Sequence, residues 1–126
     1  MNSNRPTSLP ILGGIRLPLA AIASITHRIT GVVLFVAVGL FLYLLDMALA
    51  SQDGFEAAAG LIYGGGWITF LVWAALVSLF YHVYAGIKHL LLDLHIGDTT
   101  QGTFIGAILV ILATLATAIW LGLKLW

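Results

Sequence analysis

Three long apolar runs, separated by short polar segments, constrain the fold of this chain more than any other feature. They cover about residues 19–50, 67–92 and 103–123, and each is long enough for the roughly 20 residues that carry an α-helix across the hydrocarbon core of a bilayer. Charged residues make up only 8% of the 126 residues, whereas a typical soluble domain has about 25%. The sequence therefore predicts an all-α membrane protein with three transmembrane helices.

The segments outside these runs predict how the chain is organised. Residues 1–18 are interpreted as a cytoplasmic N-terminal arm, and residues 19–126 as a single transmembrane domain. The first apolar run is longer than the bilayer requires, so its start is expected to protrude or tilt. The glycine-containing segment 51–66 predicts a flexible linker, and residues 93–102 predict a polar turn.

The positions of lysine and arginine predict the orientation in the membrane. Arg5, Arg16 and Arg28 precede or begin the first apolar run, Lys88 lies near the end of the second, and Lys124 lies at the opposite side. Because lysine and arginine accumulate in cytoplasmic segments, we expect a multi-pass protein with its N-terminus in the cytoplasm and its C-terminus on the outer side.

Composition also limits the partners and the chemistry of this chain. The formal net charge is zero and no basic patch is present, so no nucleic acid partner is expected. The absence of cysteine excludes disulfides, thiolate metal sites and iron–sulfur ligation within the chain. Three helices with so little polar surface predict that a partner membrane subunit, or lipid, covers their outer faces.

A polar cluster stands at the start of the first apolar run. Ser24, His27 and Arg28 are three and four residues apart, so they share one face of a helix. Ionisable groups near membrane depth usually have a partner or ligand, and these three side chains can hold one polar ligand together. The alternative interpretation is an anchor that reaches the lipid headgroups.

His82 is the most deeply placed ionisable residue of the second run. Ser78 and Gly86 lie one turn before and after it on the same face. Small residues around an imidazole allow a flat, bulky group to approach the helix, although they equally allow close contact between helices. A neutral histidine that hydrogen-bonds another helix is the alternative to a cofactor ligand here.

Histidine is a common axial ligand of haem iron, and helix bundles build cofactor sites between facing helices. His82 and His89 lie on one side of one helix, about 10.5 Å apart along its axis, so they cannot bind opposite faces of the same iron. We expect His27 beside His89, and a second ligand from another chain. Arg28, His27, His89 and Lys88 are then candidate contacts of the haem propionates, or headgroup anchors, which is the more typical role for Lys88 alone.

Two motifs, together with the three-helix layout, closely resemble the cytochrome b556 subunits of bacterial succinate dehydrogenase, which belong to respiratory complex II. The motifs are Ser24-x-x-His27-Arg28-x-Thr30-Gly31 and His82-x-x-x-Gly86-x-Lys88-His89, followed by Asp93. The resemblance covers nearly the whole chain. Two positions depart from it, because the family usually has arginine where this chain has Lys88, and an aromatic residue or methionine where it has Leu92.

The resemblance implies a role for each matching residue. Ser24 and Arg28 would line the ubiquinone site. His82 would be an axial ligand of haem b, and a histidine of the second membrane anchor subunit would be the other. His27 and Arg28 would lie near the haem propionates. The fold class implied is thus three transmembrane helices that form part of a heteromeric haem-binding bundle in the bacterial inner membrane, with the C-terminus on the periplasmic side.

The resemblance also implies the activity. A flavoprotein subunit would oxidise succinate, and an iron–sulfur subunit would pass the electrons to ubiquinone at this anchor, which contributes to quinone reduction and not to succinate chemistry. Two alternatives remain open: the anchor of a quinol:fumarate reductase, and a non-redox membrane scaffold or transporter component that uses His82 for helix packing. Asp93 and His95 are interpreted as part of a solvated loop, or as proton carriers for the quinone.

Overall fold

The computed structural model describes the backbone of residues 19–126, and the side chains from residue 21 onwards. This part of the chain forms four helices: α1 (Leu19–Ala50), α2 (Gln52–Tyr63), α3 (Trp67–Asp93) and α4 (Thr100–Leu125). The all-α class is confirmed, and α1, α3 and α4 are long and apolar enough to cross a membrane. The predicted N-terminal arm, residues 1–18 with Arg5 and Arg16, lies outside the described residues.

Local sequence signals explain where the helices begin. No proline occurs after Pro18, so every later residue can donate its backbone N–H to a helical hydrogen bond. Ser51 caps α2 by accepting a hydrogen bond from the backbone N–H of Gly54 at 3.0 Å. Thr99 caps α4 in the same way, through Gly102 at 3.0 Å. Both hydroxyls satisfy N–H groups that a helix start leaves without a partner.

The segment between the first two apolar runs differs from the flexible linker that the sequence predicted. Residues 52–63 form α2, because a serine cap precedes a run with three consecutive alanines, the best helix former. Flexibility was inferred from three glycines, but these begin only at Gly64, where α2 ends. Gly65 has a φ of 70°, a conformation that glycine adopts without steric cost. The buried Thr69 then donates a hydrogen bond to the Leu61 carbonyl at 3.2 Å, which ties α3 to α2.

The turn after α3 is held by hydrogen bonds to carbonyl groups in the last turn of that helix. The N–H of Ile96 donates to the carbonyl of Leu91, and the N–H of His95 donates to the carbonyl of Leu92, both at 2.9 Å. This pair of bonds is the Schellman arrangement, in which one residue adopts a left-handed conformation. That residue is His95, with a φ of 62°. His95 therefore has a structural role, because its left-handed conformation ends α3.

Helix α3 lies at the centre of the bundle and packs against both α1 and α4. Small side chains dominate the buried positions, among them Ala23, Ala37, Ala75, Ala85 and Ala107. Helices in a membrane associate through close packing, which small residues permit. The larger apolar side chains point outwards instead: the exposed fraction of Phe35 is 82%. The outer surface is thus suited to lipid or to another membrane subunit.

The substitution Ala107→Leu tests this packing. Ala107 has no exposed surface, so three added carbon atoms must force the helices apart, and we expect a loss of about 1–3 kcal/mol in the free energy of unfolding. The measurement is the thermal midpoint of the protein purified from membranes. Ala116→Leu, at an exposed position of the same helix, is the matched control. Equal midpoints for the two variants would contradict this account of the core.

Candidate functional site

The imidazole of His82, half-buried on α3, is held by two groups of α1. Its Nδ1 lies 3.0 Å from the backbone carbonyl oxygen of His27 and 3.1 Å from Oγ1 of Thr30. The Thr30 hydroxyl in turn donates a hydrogen bond to the same His27 carbonyl at 2.9 Å. A small hydrogen-bond network thus joins the two helices. Its members are the His82 Nδ1 atom, the Thr30 hydroxyl and the His27 carbonyl.

This network determines which nitrogen of His82 carries the proton. A carbonyl oxygen can only accept hydrogen bonds, and Thr30 has already donated its single proton, so its oxygen can only accept as well. Nδ1 must therefore carry the proton, and its single N–H is shared between the two oxygens. In the neutral ring the lone pair then resides on Nε2. A backbone carbonyl bound to one ring nitrogen, with the other nitrogen free, is the usual arrangement around a metal-binding histidine.

The rings of His27, His82 and His89 lie together, in an arrangement that the sequence did not predict. His27 was expected beside His89, but its ring stacks on His82, with the centroids 3.9 Å apart and the planes inclined by 18°. The His27 and His89 centroids are 5.5 Å apart. The reason is register: α1 runs past α3 such that His27 lies opposite Gly86, between the levels of His82 and His89. His27 thus contacts both.

Two glycines make room for these rings. A Cβ atom on Gly31 would lie 3.2 Å from Cε1 of His82, which is tighter than ordinary contact. A Cβ atom on Gly86 would lie 3.5 Å from Nε2 of His27. The sequence left two interpretations of Gly86: room for a flat, bulky group, or close contact between helices. The contact with His27 of α1 is of the second kind.

The rings open onto a groove on the outside of the bundle, which we call the histidine groove. It has a volume of about 480 Å³ and is lined by His27, His82, Val83, Gly86, Ile87, His89 and Leu90. Apart from the imidazoles its walls are apolar. Among the described residues, no group of three or more histidine, cysteine, aspartate or glutamate side chains is arranged to hold a metal ion alone. The groove can therefore offer one imidazole nitrogen to a metal whose other ligands come from elsewhere.

Ser24 and Arg28 lie on α1 one turn apart, as predicted. Ser24 is half-buried and Arg28 is exposed, and neither lines the histidine groove. The α1 backbone beside Ser24 is fixed by Tyr81, which donates a hydrogen bond to the Ala23 carbonyl at 3.0 Å. The structure thus places both side chains next to the histidines along the chain, but it does not bring them into one cavity with them.

Lys88, a candidate propionate contact, lies on a different face of α3. Its methylene groups face Gly106 of α4, and it does not line the histidine groove. Lys88 thus lies apart from the groove that the three histidines line, and its contact with a propionate stays a prediction. A residue six positions after His82 is rotated by 240° around a helix of 3.6 residues per turn, which is enough to move it to the neighbouring interface.

Three residues of this region were not recognised as functional candidates from the sequence: Thr30, Gly31 and Tyr81. Thr30 and Gly31 belong to the motif that supports the family resemblance, and Thr30 follows His27 by three residues, a spacing at which a threonine hydroxyl reaches a backbone carbonyl. That signal could have suggested a bond to His27. The contacts of all three with the opposite helix depend on the register between α1 and α3, which no local pattern reveals.

Comparisons with known proteins give one consistent result. The model of a family described as the succinate dehydrogenase/fumarate reductase transmembrane subunit matches residues 1–123. A succinate dehydrogenase cytochrome b556 subunit of Coxiella burnetii is 36% identical over 126 residues, which cover 100% of both chains. The subunit of the same name from Paracoccus denitrificans is 34% identical over 120 residues, covering 89% of this chain and 90% of the relative. A cytochrome b560 subunit of Reclinomonas americana is 36% identical over 97 residues, 74% of this chain and 67% of its own length.

Tyr81→Phe tests the contact that positions α1 beside Ser24. The variant removes the hydroxyl that donates to the Ala23 carbonyl, so we expect a loss of about 1 kcal/mol in the free energy of unfolding, measured as a lower thermal midpoint. Tyr43→Phe is the matched control, since Tyr43 is 57% exposed. If the two variants have the same midpoint, the Tyr81 bond does not hold the two helices together.

Proposed function

The chain belongs to the succinate dehydrogenase/fumarate reductase transmembrane subunit family, and on that premise we propose that it anchors a succinate dehydrogenase in the membrane, supplies one axial ligand to haem b and helps to bind ubiquinone. The observation that carries the proposal is the hydrogen bonding of His82. Its Nδ1 is held by α1, which leaves the lone pair of Nε2 for iron.

The residues of the histidine groove fit a haem group. Nε2 of His82 provides one ligand, and the fixed Nδ1–H orients the ring and raises its basicity as a ligand. The walls contributed by Val83, Ile87 and Leu90 suit an apolar macrocycle. Haem b, when bound, accepts and passes on single electrons. This chain would hold the iron ligand in a fixed orientation and line one side of the group with apolar side chains.

The second axial ligand must come from a partner. The ring of His27 stacks on His82 at 3.9 Å, and two stacked rings cannot point at opposite faces of one iron. His89 is seven residues along the same helix, about 10.5 Å away along the axis. We assign the second ligand to a second membrane anchor subunit that faces the histidine groove. Such a subunit would also cover apolar side chains that α1 and α3 expose.

Hydrogen-bond donors near the groove are suited to the propionates. His27 and His89 line it, and Arg28 follows His27 directly. A hydrogen bond between the charged guanidinium of Arg28 and a propionate is stronger than a neutral one. We therefore assign His27, Arg28 and His89 to the propionate end of the site.

The proposed quinone site uses Ser24 and Arg28. Their spacing of one turn lets both reach one small head group from the same face of α1. The Ser24 hydroxyl donates a hydrogen bond to a quinone carbonyl. The positively charged guanidinium of Arg28 stabilises negative charge that develops on the quinone oxygen during reduction. Protons for the quinol come from the adjacent aqueous side, where Asp93 and His95 are exposed.

The remaining roles follow from the family. A flavoprotein subunit oxidises succinate to fumarate, and an iron–sulfur subunit transfers the electrons; both dock at the end of the bundle that carries the histidines. That end, which also has Arg28 and Lys88, is the cytoplasmic one by the distribution of positive charge, and the C-terminus is periplasmic in a bacterial inner membrane. The family also contains fumarate reductase subunits, but succinate dehydrogenase is the name of the relatives described above, which favours succinate oxidation.

His82→Ala tests the haem ligand. The variant removes Nε2, so we expect the low-spin b-type absorption spectrum of the purified complex to be lost or altered. Gly31→Ala is a milder perturbation: its Cβ would press on Cε1 of His82 from 3.2 Å, and it should shift the spectrum or the midpoint potential. Gly39→Ala, where a Cβ meets no atom within 4 Å, is the matched control. Unchanged spectra in both His82→Ala and Gly31→Ala would rule out the assignment of His82.

Arg28→Ala tests the quinone site separately. Loss of one preorganised charged donor should lower ubiquinone reduction by about 100-fold or more, while succinate oxidation with a soluble electron acceptor is retained. Arg28→Lys should recover only part of the activity, since lysine lacks the planar, bidentate donor geometry. An equal loss of both activities would assign Arg28 to assembly of the complex and not to quinone binding.

A further inference from the structure

A second groove lies on the other side of α3, between α3 and α4. It has a volume of about 300 Å³ and is closed at one end by the turn that joins the two helices. Its walls are mostly apolar, with Leu91, Leu109 and Val110 among them, and Lys88 is its one charged lining residue. Because it is lined by α4 and excludes the histidines, it is distinct from the histidine groove.

Lys88 is buried to an unusual degree for a lysine, with an exposed fraction of only 8%. Its methylene groups pack against Gly106: a Cβ there would lie 3.5 Å from both Cγ and Cε. No hydrogen bond or ion pair joins Lys88 to any other residue in the described part of the chain. Every fully buried side-chain nitrogen or oxygen in that part has a partner. The Lys88 ammonium is therefore the accessible tip of a buried side chain that lines the groove.

A cation at this position requires a negative partner. Lys88 lies five residues before the end of α3, about 7.5 Å along the axis, which places it below the helix end and towards the hydrocarbon region. Charged side chains there are costly unless they pair, and no acidic residue lines the groove. The first turn of α4 also lines the groove, through Gly102. The positive end of the α4 dipole therefore favours a negative charge there, as Lys88 does.

We propose that this groove binds one anionic phospholipid, with its phosphate at the Lys88 ammonium and an acyl chain along the apolar wall formed by Leu91, Leu109 and Val110. The occupant must carry a negative charge directly next to a long apolar tail. A phospholipid combines both in one molecule, and the bilayer supplies it at high concentration. Bound in this way, the lipid fills the gap between α3 and α4 and neutralises Lys88.

The test is lipid retention by the complex purified with its partner subunits and washed extensively in detergent. Lys88→Met keeps the length and packing of the stem but removes the charge, so bound anionic phospholipid, measured by mass spectrometry of the extracted lipids, should fall about tenfold or more. Lys88→Arg should retain the lipid. Lys124→Met, which removes an exposed lysine at the far end of α4, should also retain it. Equal retention by Lys88→Met and the unaltered protein would overturn the proposal.

A second measurement distinguishes a lipid from a free anion and does not depend on haem or quinone. The delipidated complex should gain thermal stability when transferred to bilayer discs of phosphatidylcholine that contain phosphatidylglycerol, compared with discs of phosphatidylcholine alone. Lys88→Met should remove that gain, as should Gly106→Leu, which fills the groove. If inorganic phosphate produces the same gain in detergent, or if phosphatidylcholine alone suffices, the site does not recognise an anionic lipid and the proposal fails.

Discussion

The structure depends on one interaction between α1 and α3, the hydrogen bond that His82 Nδ1 donates to the backbone carbonyl of His27. An imidazole at membrane depth needs partners for its polar atoms, because the hydrocarbon offers none. Here α1 supplies a carbonyl and a hydroxyl for one nitrogen and leaves the other free. The same contact joins two transmembrane helices and, in the proposed function, orients the imidazole that would bind haem iron.

Small residues allow this interaction to form. Gly31 and Gly86 face the rings of His82 and His27, and the buried core is rich in alanine, so the helix backbones approach closely. In a membrane, where the surrounding lipid is as apolar as leucine, such close packing is a main source of helix association. Stability and the proposed haem site thus depend on the same feature, since a larger residue at these positions would both separate the helices and displace the histidines.

Two grooves on the outside of the bundle offer surfaces for further binding partners. Helix α3 has a groove on each side of Ile87, which lines both: one carries the imidazoles and the other carries Lys88. Their chemistry differs, because an imidazole nitrogen suits a metal ion and an ammonium group suits a phosphate. Large apolar side chains remain exposed between them, as expected for a subunit whose surface is shared with other membrane chains and lipid.

The sequence by itself determined the all-α class, the three apolar spans and the residue types of the site, because hydropathy over 20 residues and helical spacing are local properties of the chain. His82 and the Ser24–Arg28 face were recognisable for that reason. Helix α2 was missed, since the glycines after it obscured the serine cap that begins it. What only the tertiary structure decided is the register of α1 against α3, and of α3 against α4. That register stacks His27 on His82, directs Thr30 to Nδ1 and turns Lys88 towards α4. This register results from the packing of many small side chains at the same time. It cannot be read from any short motif, because it depends on contacts between residues that are far apart in the sequence.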